Sequence, residues 1–121
     1  MLTSMRQNIL CGKRGEKIAR DFLIKRKYAI LDTNVHSRYG EIDIIGVKSG
    51  MRYFCEVKTR TTEAFGTPEE AVNWKKLQRI KKTIQWYHEK YGYAPFQINI
   101  ISIYLTPNLQ PRKIVHYKNV S

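Results

Sequence analysis

The sequence predicts an α/β fold, a mixed central sheet flanked by helices, and three observations predict it. Apolar residues recur at three- and four-residue steps in two separate stretches, 18–23 and 77–91, as they do along one face of a helix. Between them lie three runs rich in β-branched and aromatic residues, "YAILDTNVH", "EIDIIGV" and "MRYFCEVKT", a composition suited to strands. After the second helical stretch comes "QINIISIYL", which reads as a strand buried on both faces. Helix, three strands, helix, then one or two strands is an order that covers a mixed sheet with helices.

The first helix is expected from Gln7 to Arg26, with Ile18, Ala19, Phe22 and Leu23 as its apolar stripe. Gly12 and Gly15 are poor helix formers. They predict an irregular start or a place where another backbone comes close. "YAILDTNVH" leads through a short connection, Ser37 to Gly40, into "EIDIIGV". "KSG" then makes a tight turn into "MRYFCEVKT". The second helix has the clearest start: Thr67 as N-cap, Pro68 at the first helical position and Glu70 completing a capping box. Leu77, Ile80, Ile84, Tyr87 and Tyr91 form its apolar stripe, and Gly92 is the stop. A last strand is expected over Lys113 to Tyr117.

A chain of 121 residues suits one domain, residues 1–121. At that size it buries roughly two-thirds of its unfolded surface and needs no disulfide or structural metal. Cys11 and Cys55 fit no metal-ligand spacing and read as idle thiols in a reducing compartment. The N-terminal stretch lacks the apolar core of a secretory signal. "INIISIYL" is too short to span a bilayer. The expectation is a soluble, cytoplasmic protein without a membrane partner. Charge is the outlier: 22 Lys and Arg stand against 10 Asp and Glu, a net charge of +12. Such an excess points to polyanions, above all nucleic acid.

Against that background the segment "RYGEIDIIGVKSGMRYFCEVKTR", residues 38–60, sets Glu41, Asp43, Glu56 and Lys58 among core-building residues. A two-residue turn at Ser49-Gly50 makes Val47 face Arg52, Ile45 face Phe54 and Asp43 face Glu56. Alternation then puts Glu41, Asp43, Glu56 and Lys58 on one face with Ile45, Val47 and Phe54. Ile42, Ile44, Tyr53, Cys55 and Val57 take the other. Opposed side chains have Cβ atoms about 5 Å apart, and like charges that close are destabilising. A protonated carboxyl, a nearby cation or a bridging divalent metal would each relieve them. Hard cations such as Mg²⁺ or Mn²⁺ suit two carboxylates plus water and substrate phosphate. Solvent-facing ion pairs are the alternative, although the apolar neighbours argue for a pocket at a core edge. A metal on Asp43 and Glu56 would suit phosphodiester hydrolysis, with Lys58 orienting the nucleophile or stabilising the transition state.

"GEIDII" followed by "CEVKTR" resembles the PD-(D/E)XK nuclease superfamily. With "GKRGEKIARDFL", "YAILDTN" and "EVKTRTTEAFGTPEEAV", then Lys76 and Ile80, the chain resembles the YraN-like family, related to archaeal Holliday junction resolvases. The resemblance implies a restriction-endonuclease-like fold and a Mg²⁺- or Mn²⁺-dependent endonuclease acting on DNA, including branched or junction DNA. It implies Asp43, Glu56 and Lys58 as the metal-and-catalysis set, with Glu16 as an added acid. For Glu16, a carboxylate favoured by the helix dipole is an equal alternative. Glu41 and Arg60 match positions for phosphate or outer contacts. Relatives often carry an acid where this chain has Asn99, which weakens any further carboxylate ligand. Resolvases act as dimers, so the resemblance extends to a homodimer. A non-catalytic nucleic-acid-binding protein on the same scaffold is the alternative.

The second helix carries a basic stripe, Lys75, Arg79 and Lys82, with Lys76 beside it. These residues are candidate phosphate contacts. Tyr39 sits next to the candidate site and could contact substrate. Trp74 and Trp86 could stack on an unpaired base, with core packing expected for each. No base-reading motif is present, so selectivity would come from DNA shape or junctions.

Overall fold

In the computed structural model, residues 2–61 and 74–120 are described, with side chains from Met5 onward. Helix α1, Leu2–Lys25, begins five residues before the expected Gln7 and runs unbroken through Gly12 and Gly15. Gly15 marks a close approach, of a side chain rather than a backbone. A Cβ there would overlap Thr59 Oγ1 and lie 2.7 Å from Thr59 Cγ2. Glycine lets the helix lie directly on the sheet at this point.

Five strands follow the expected order: β1 Ala29–Ser37, β2 Gly40–Lys48, β3 Met51–Arg60, β4 Phe96–Leu105 and β5 Pro111–Tyr117. They form one sheet in the order β1-β2-β3-β4-β5. All neighbours are antiparallel except β3 and β4, which are parallel. Parallel neighbours need a crossover, and helix α2, Trp74–Tyr91, lies within it. The result is an α/β arrangement consistent with the restriction-endonuclease-like fold. The expected capping box at Thr67, Pro68 and Glu70 lies outside the described residues. At the other end, Gly92 N–H donates to His88 O at 2.8 Å and closes α2.

The turn between β2 and β3 is the expected two-residue loop. Lys48 pairs with Met51, and Ser49 and Gly50 both take positive φ, 52° and 77°, as a type I′ turn demands. The core has two layers. Ile18, Ala19 and Leu23 of α1 pack on Ile44, Cys55, Ile101, Ile103 and Leu105. Ile80, Ile84 and Tyr87 of α2 pack with Ile42, Ile45, Phe54 and Ile98. Neighbours such as Ile44 and Ile45 serve opposite faces, so the helices cover the two sides of the sheet. Nearly all of β4 is buried, as its composition predicts. No helix among the described residues is long and apolar enough to cross a membrane.

Candidate active site

The predicted pairing of β2 with β3 holds from Lys48↔Met51 to Ile44↔Cys55 and stops there. Asp43 comes next. Its Oδ2 accepts the Val57 N–H at 2.8 Å, so a carboxylate satisfies a backbone donor at the end of the ladder. The expected alternation also fails here. Ile42 packs in the α2 layer with Ile45, and not in the α1 layer with Ile44. Ile42 stays paired with Val35 of β1, but Asn34 between the paired residues takes φ 50°, so the regular pleat is broken here and period-two reasoning no longer applies.

Asp43 and Glu56 are only 7% and 8% exposed. Two ammonium groups converge on Glu56 Oε1: Lys76 Nζ at 2.7 Å and Lys58 Nζ at 3.5 Å. Burial and then the Glu56 charge push the Asp43 pKa up to about 7, with smaller contributions from Glu16 and Glu41, against the opposing Val57 bond. Lys58 is lowered, first by burial and then by its contact with Lys76. Burial also works against charge on Lys76, but its hydrogen bonds to Glu56 and Lys58 and the Glu56 charge hold its pKa up. Glu41 stands exposed at the mouth, its Oε2 3.1 Å from His36 Nδ1.

Asp43 and Glu56 offer oxygen donors of the kind Mg²⁺ or Mn²⁺ takes with water and phosphate. The raised Asp43 pKa comes first from burial and then from the neighbouring Glu56 charge, and Lys76 pairs with Glu56. Among the described residues no group of three or more His, Cys, Asp or Glu could hold a metal ion. Asp43 and Glu56 alone would leave most of a cation's coordination to water and substrate. Cys55 is buried, with its pKa pushed up to about 12 by burial, while Cys11 lines the small pocket that holds Glu16 and Lys58.

Glu16 and Lys58 share a pocket of ≈ 280 Å³ with Val57 and Thr59, on the α1 side. On the α2 side, Tyr39, Glu41, Glu56, Lys76 and Arg79 line a cleft of ≈ 430 Å³. Tyr39 and Lys82 continue into an adjoining cleft of ≈ 780 Å³. Arg60 lies in a separate groove with Gln7 and Asn8 of α1. Lys75 is exposed on α2, outside the linings of these clefts. Asn99 is fully buried; its Oδ1 accepts Asn119 N–H at 2.9 Å, and its Nδ2 lies 3.1 Å from His116 Nε2. Trp74, the first residue of α2, is 73% exposed, contrary to the expected core packing. Trp86 packs partly against the α2 layer.

Residues 15–103 match the Uncharacterised protein family UPF0102. The chain belongs to the UPF0102 family. That is the YraN-like family its motifs resemble. A UPF0102 protein of Caldanaerobacter subterraneus subsp. tengcongensis is 41% identical over 111 residues, covering 89% of this chain and 91% of that one. One from Thermodesulfovibrio yellowstonii is 38% identical over 110 residues, covering 89% and 92%. Another, from Persephonella marina, is 37% identical over 108 residues, covering 89% and 90%. The UPF0102 match contains Glu16, Asp43, Glu56, Lys58 and Lys76.

Sequence reasoning missed two parts of this UPF0102 centre. The His36–Glu41 pair could have been found, because Ser37 pairs with Gly40 across a two-residue turn and makes His36 face Glu41. For the seat of Lys76 on Glu56 the signal was partial: Lys76, Ile80 and Ile84 recur at four-residue steps, which aims Lys76 toward the sheet without naming its partner. The partner depends on how the crossover between β3 and β4 returns.

Proposed function

We propose that this chain hydrolyses phosphodiester bonds in DNA as a Mg²⁺- or Mn²⁺-dependent endonuclease, with branched or junction DNA as the substrate form. One observation carries the reading. Two buried carboxylates, Asp43 and Glu56, interact with each other, and the Lys58 ammonium lies 3.5 Å from Glu56, in a chain of net charge +12. Asp43 and Glu56 would hold the cation. When bound, such an ion lowers the pKa of water and neutralises charge on phosphoryl oxygens.

The protein's own groups do the rest. Lys58 Nζ is held against Glu56 Oε1, and its lowered pKa eases proton exchange with an attacking water. While protonated, it offsets charge developing on a non-bridging oxygen. Lys76 holds Glu56 in one orientation from the opposite helix. Glu16, across the small pocket from Lys58, adds negative charge that favours a cation at the centre. Arg79, Lys82 and Lys75 on α2, and Arg60 on the other side, bind backbone phosphates, which positions DNA without reading bases. A homodimer would bring two such centres to one junction.

Incubation with labelled linear, nicked, flap and four-way DNA in Mn²⁺ tests the reading. Cleavage should appear, stop with EDTA and vanish in Asp43→Ala and Lys58→Ala. Failure to cut any substrate, or cutting unchanged in both variants, refutes it. A second reading, a non-catalytic nucleic-acid-binding protein, is favoured by Asn99, whose amide is committed to Asn119 and His116 where the resemblance implies an acid. It predicts salt-sensitive binding without turnover.

A further inference from the structure

The turn between β1 and β2 and the face of α2 enclose the ≈ 780 Å³ cleft, which the carboxylate centre does not use. Arg38, Tyr39, Lys82, Gln85, Trp86 and Glu89 line it. The Arg38 guanidinium lies 4.9 Å from the Tyr39 ring centroid, and Lys82 Nζ lies 6.0 Å from it. Arg38 Nη2 also donates to Tyr39 Oη at 2.6 Å. Two cations thus lie near one aromatic ring, in a cleft whose lining mixes polar and apolar surface.

We infer that this cleft seats an unpaired nucleotide of the substrate, with its base stacked at Tyr39 and its phosphate between Arg38 and Lys82. The inference rests on the reading of the chain as acting on nucleic acid and names the form of the strand it takes. Three features carry it. First, stacking platforms for single strands combine an aromatic face with cations that track the backbone, whereas two cations in a pocket for an apolar partner would be costly to desolvate. Second, Gln85 and Glu89 on the rim carry an amide and a carboxylate, which can hydrogen-bond a base edge. Third, the cleft is continuous with the centre, because Ser37, Arg38 and Tyr39 also line the cleft that holds Glu56 and Lys76. A base inside a continuous duplex is stacked on both sides and exposes no face to Tyr39, which favours an unpaired occupant.

The platform is set before binding. Ser37 Oγ bonds to Gly40 O, Tyr39 N and Thr83 Oγ1, each at 3.1 Å, which ties the turn to α2. Little ordering remains to be done when the base arrives.

The test measures binding of the intact chain in EDTA, so that it is read apart from cleavage. Probes are oligothymidylate, oligouridylate and a blunt duplex of equal length, with 2-aminopurine in the single strands. Single strands should bind more tightly than the duplex and quench the 2-aminopurine. Tyr39→Ala should weaken single-strand binding about tenfold and leave the duplex alone, while Tyr39→Phe retains stacking. Tighter binding of oligouridylate than of oligothymidylate keeps the inference and makes the nucleotide RNA. Unchanged single-strand affinity in Tyr39→Ala, or an unquenched probe, overturns it. Quenching without cleavage under Mn²⁺ refutes the nuclease reading alone; cleavage of duplex with no Tyr39 effect refutes this inference alone.

Discussion

Asparagine at position 43 keeps the shape of Asp43 and still offers an oxygen to the Val57 N–H, but it removes the charge. In metal-free buffer that charge is destabilising. Burial and the Glu56 carboxylate push the Asp43 pKa up to about 7, while an unfolded chain ionises aspartate near ~3.9. Between those values the folded chain binds the proton more tightly than the unfolded chain. The stability contribution is complete below the unfolded pKa and is lost as pH rises through the folded one. A gap of about three pH units corresponds to roughly 4 kcal/mol at ~1.36 kcal/mol each. Rearrangement of the Glu56–Lys76–Lys58 cluster and water at the mouth reduce this to about 2 kcal/mol.

Asp43→Asn should therefore be more stable than the parent by about 2 kcal/mol near pH ~8 in EDTA, with the difference vanishing near pH ~4. Urea unfolding followed by circular dichroism across that range measures it. Mn²⁺ at the higher pH should then stabilise the parent and not the variant, because ligand binding to the folded state adds to its stability. An Asp43→Asn protein less stable than the parent at high pH refutes the reasoning, as does a difference that stays flat across the range.

Other substitutions probe the rest of the molecule. Lys58→Met should lower Mn²⁺-dependent cleavage by about 100-fold with melting temperature little changed; equal loss of fold and activity would deny Lys58 a chemical role. The His116 pKa is lowered to about 4, first by burial and then by Lys118, Arg26 and Lys48, and Asn99 Nδ2 donates to its unprotonated Nε2. Stability should thus fall by about 1–2 kcal/mol, after allowance for screening, as pH drops from ~6.5 to ~4. His116→Gln should remove that slope in urea titrations. Gly15→Ala should destabilise by about 1–3 kcal/mol through overlap with Thr59, read as a lower urea midpoint. Ser49→Asn should stabilise by about 0.5 kcal/mol, because Asn accepts positive φ at the first position of this turn.

The division between what the residues announced and what they hid follows the range of the interactions. Ser49-Gly50 is local turn chemistry, and it correctly aligned Ile44 with Cys55. The stripes of α1 and α2 and the stop at Gly92 are likewise local. The first turns of α1 escaped notice because Met5, Ile9 and Leu10 are more than half exposed and show no core-facing period. At Asp43 the alternation was right up to the residue where β2 leaves its partner. Nothing in a period-two pattern reports the end of a ladder, so Ile42 was placed on the wrong face. Lys76 is the sharpest case. It was grouped with the basic residues of α2, although its place four residues before Ile80 puts it in phase with the apolar stripe, and its Nζ sits on Glu56. That contact needs β3 and β4 to be parallel and α2 to cross over the Glu56 face. The strand-borne acids were therefore readable from spacing, while the Glu56 partner of the helix-borne Lys76 ammonium was not. From a separate element, Lys76 supplies positive charge beside the buried Glu56 carboxylate.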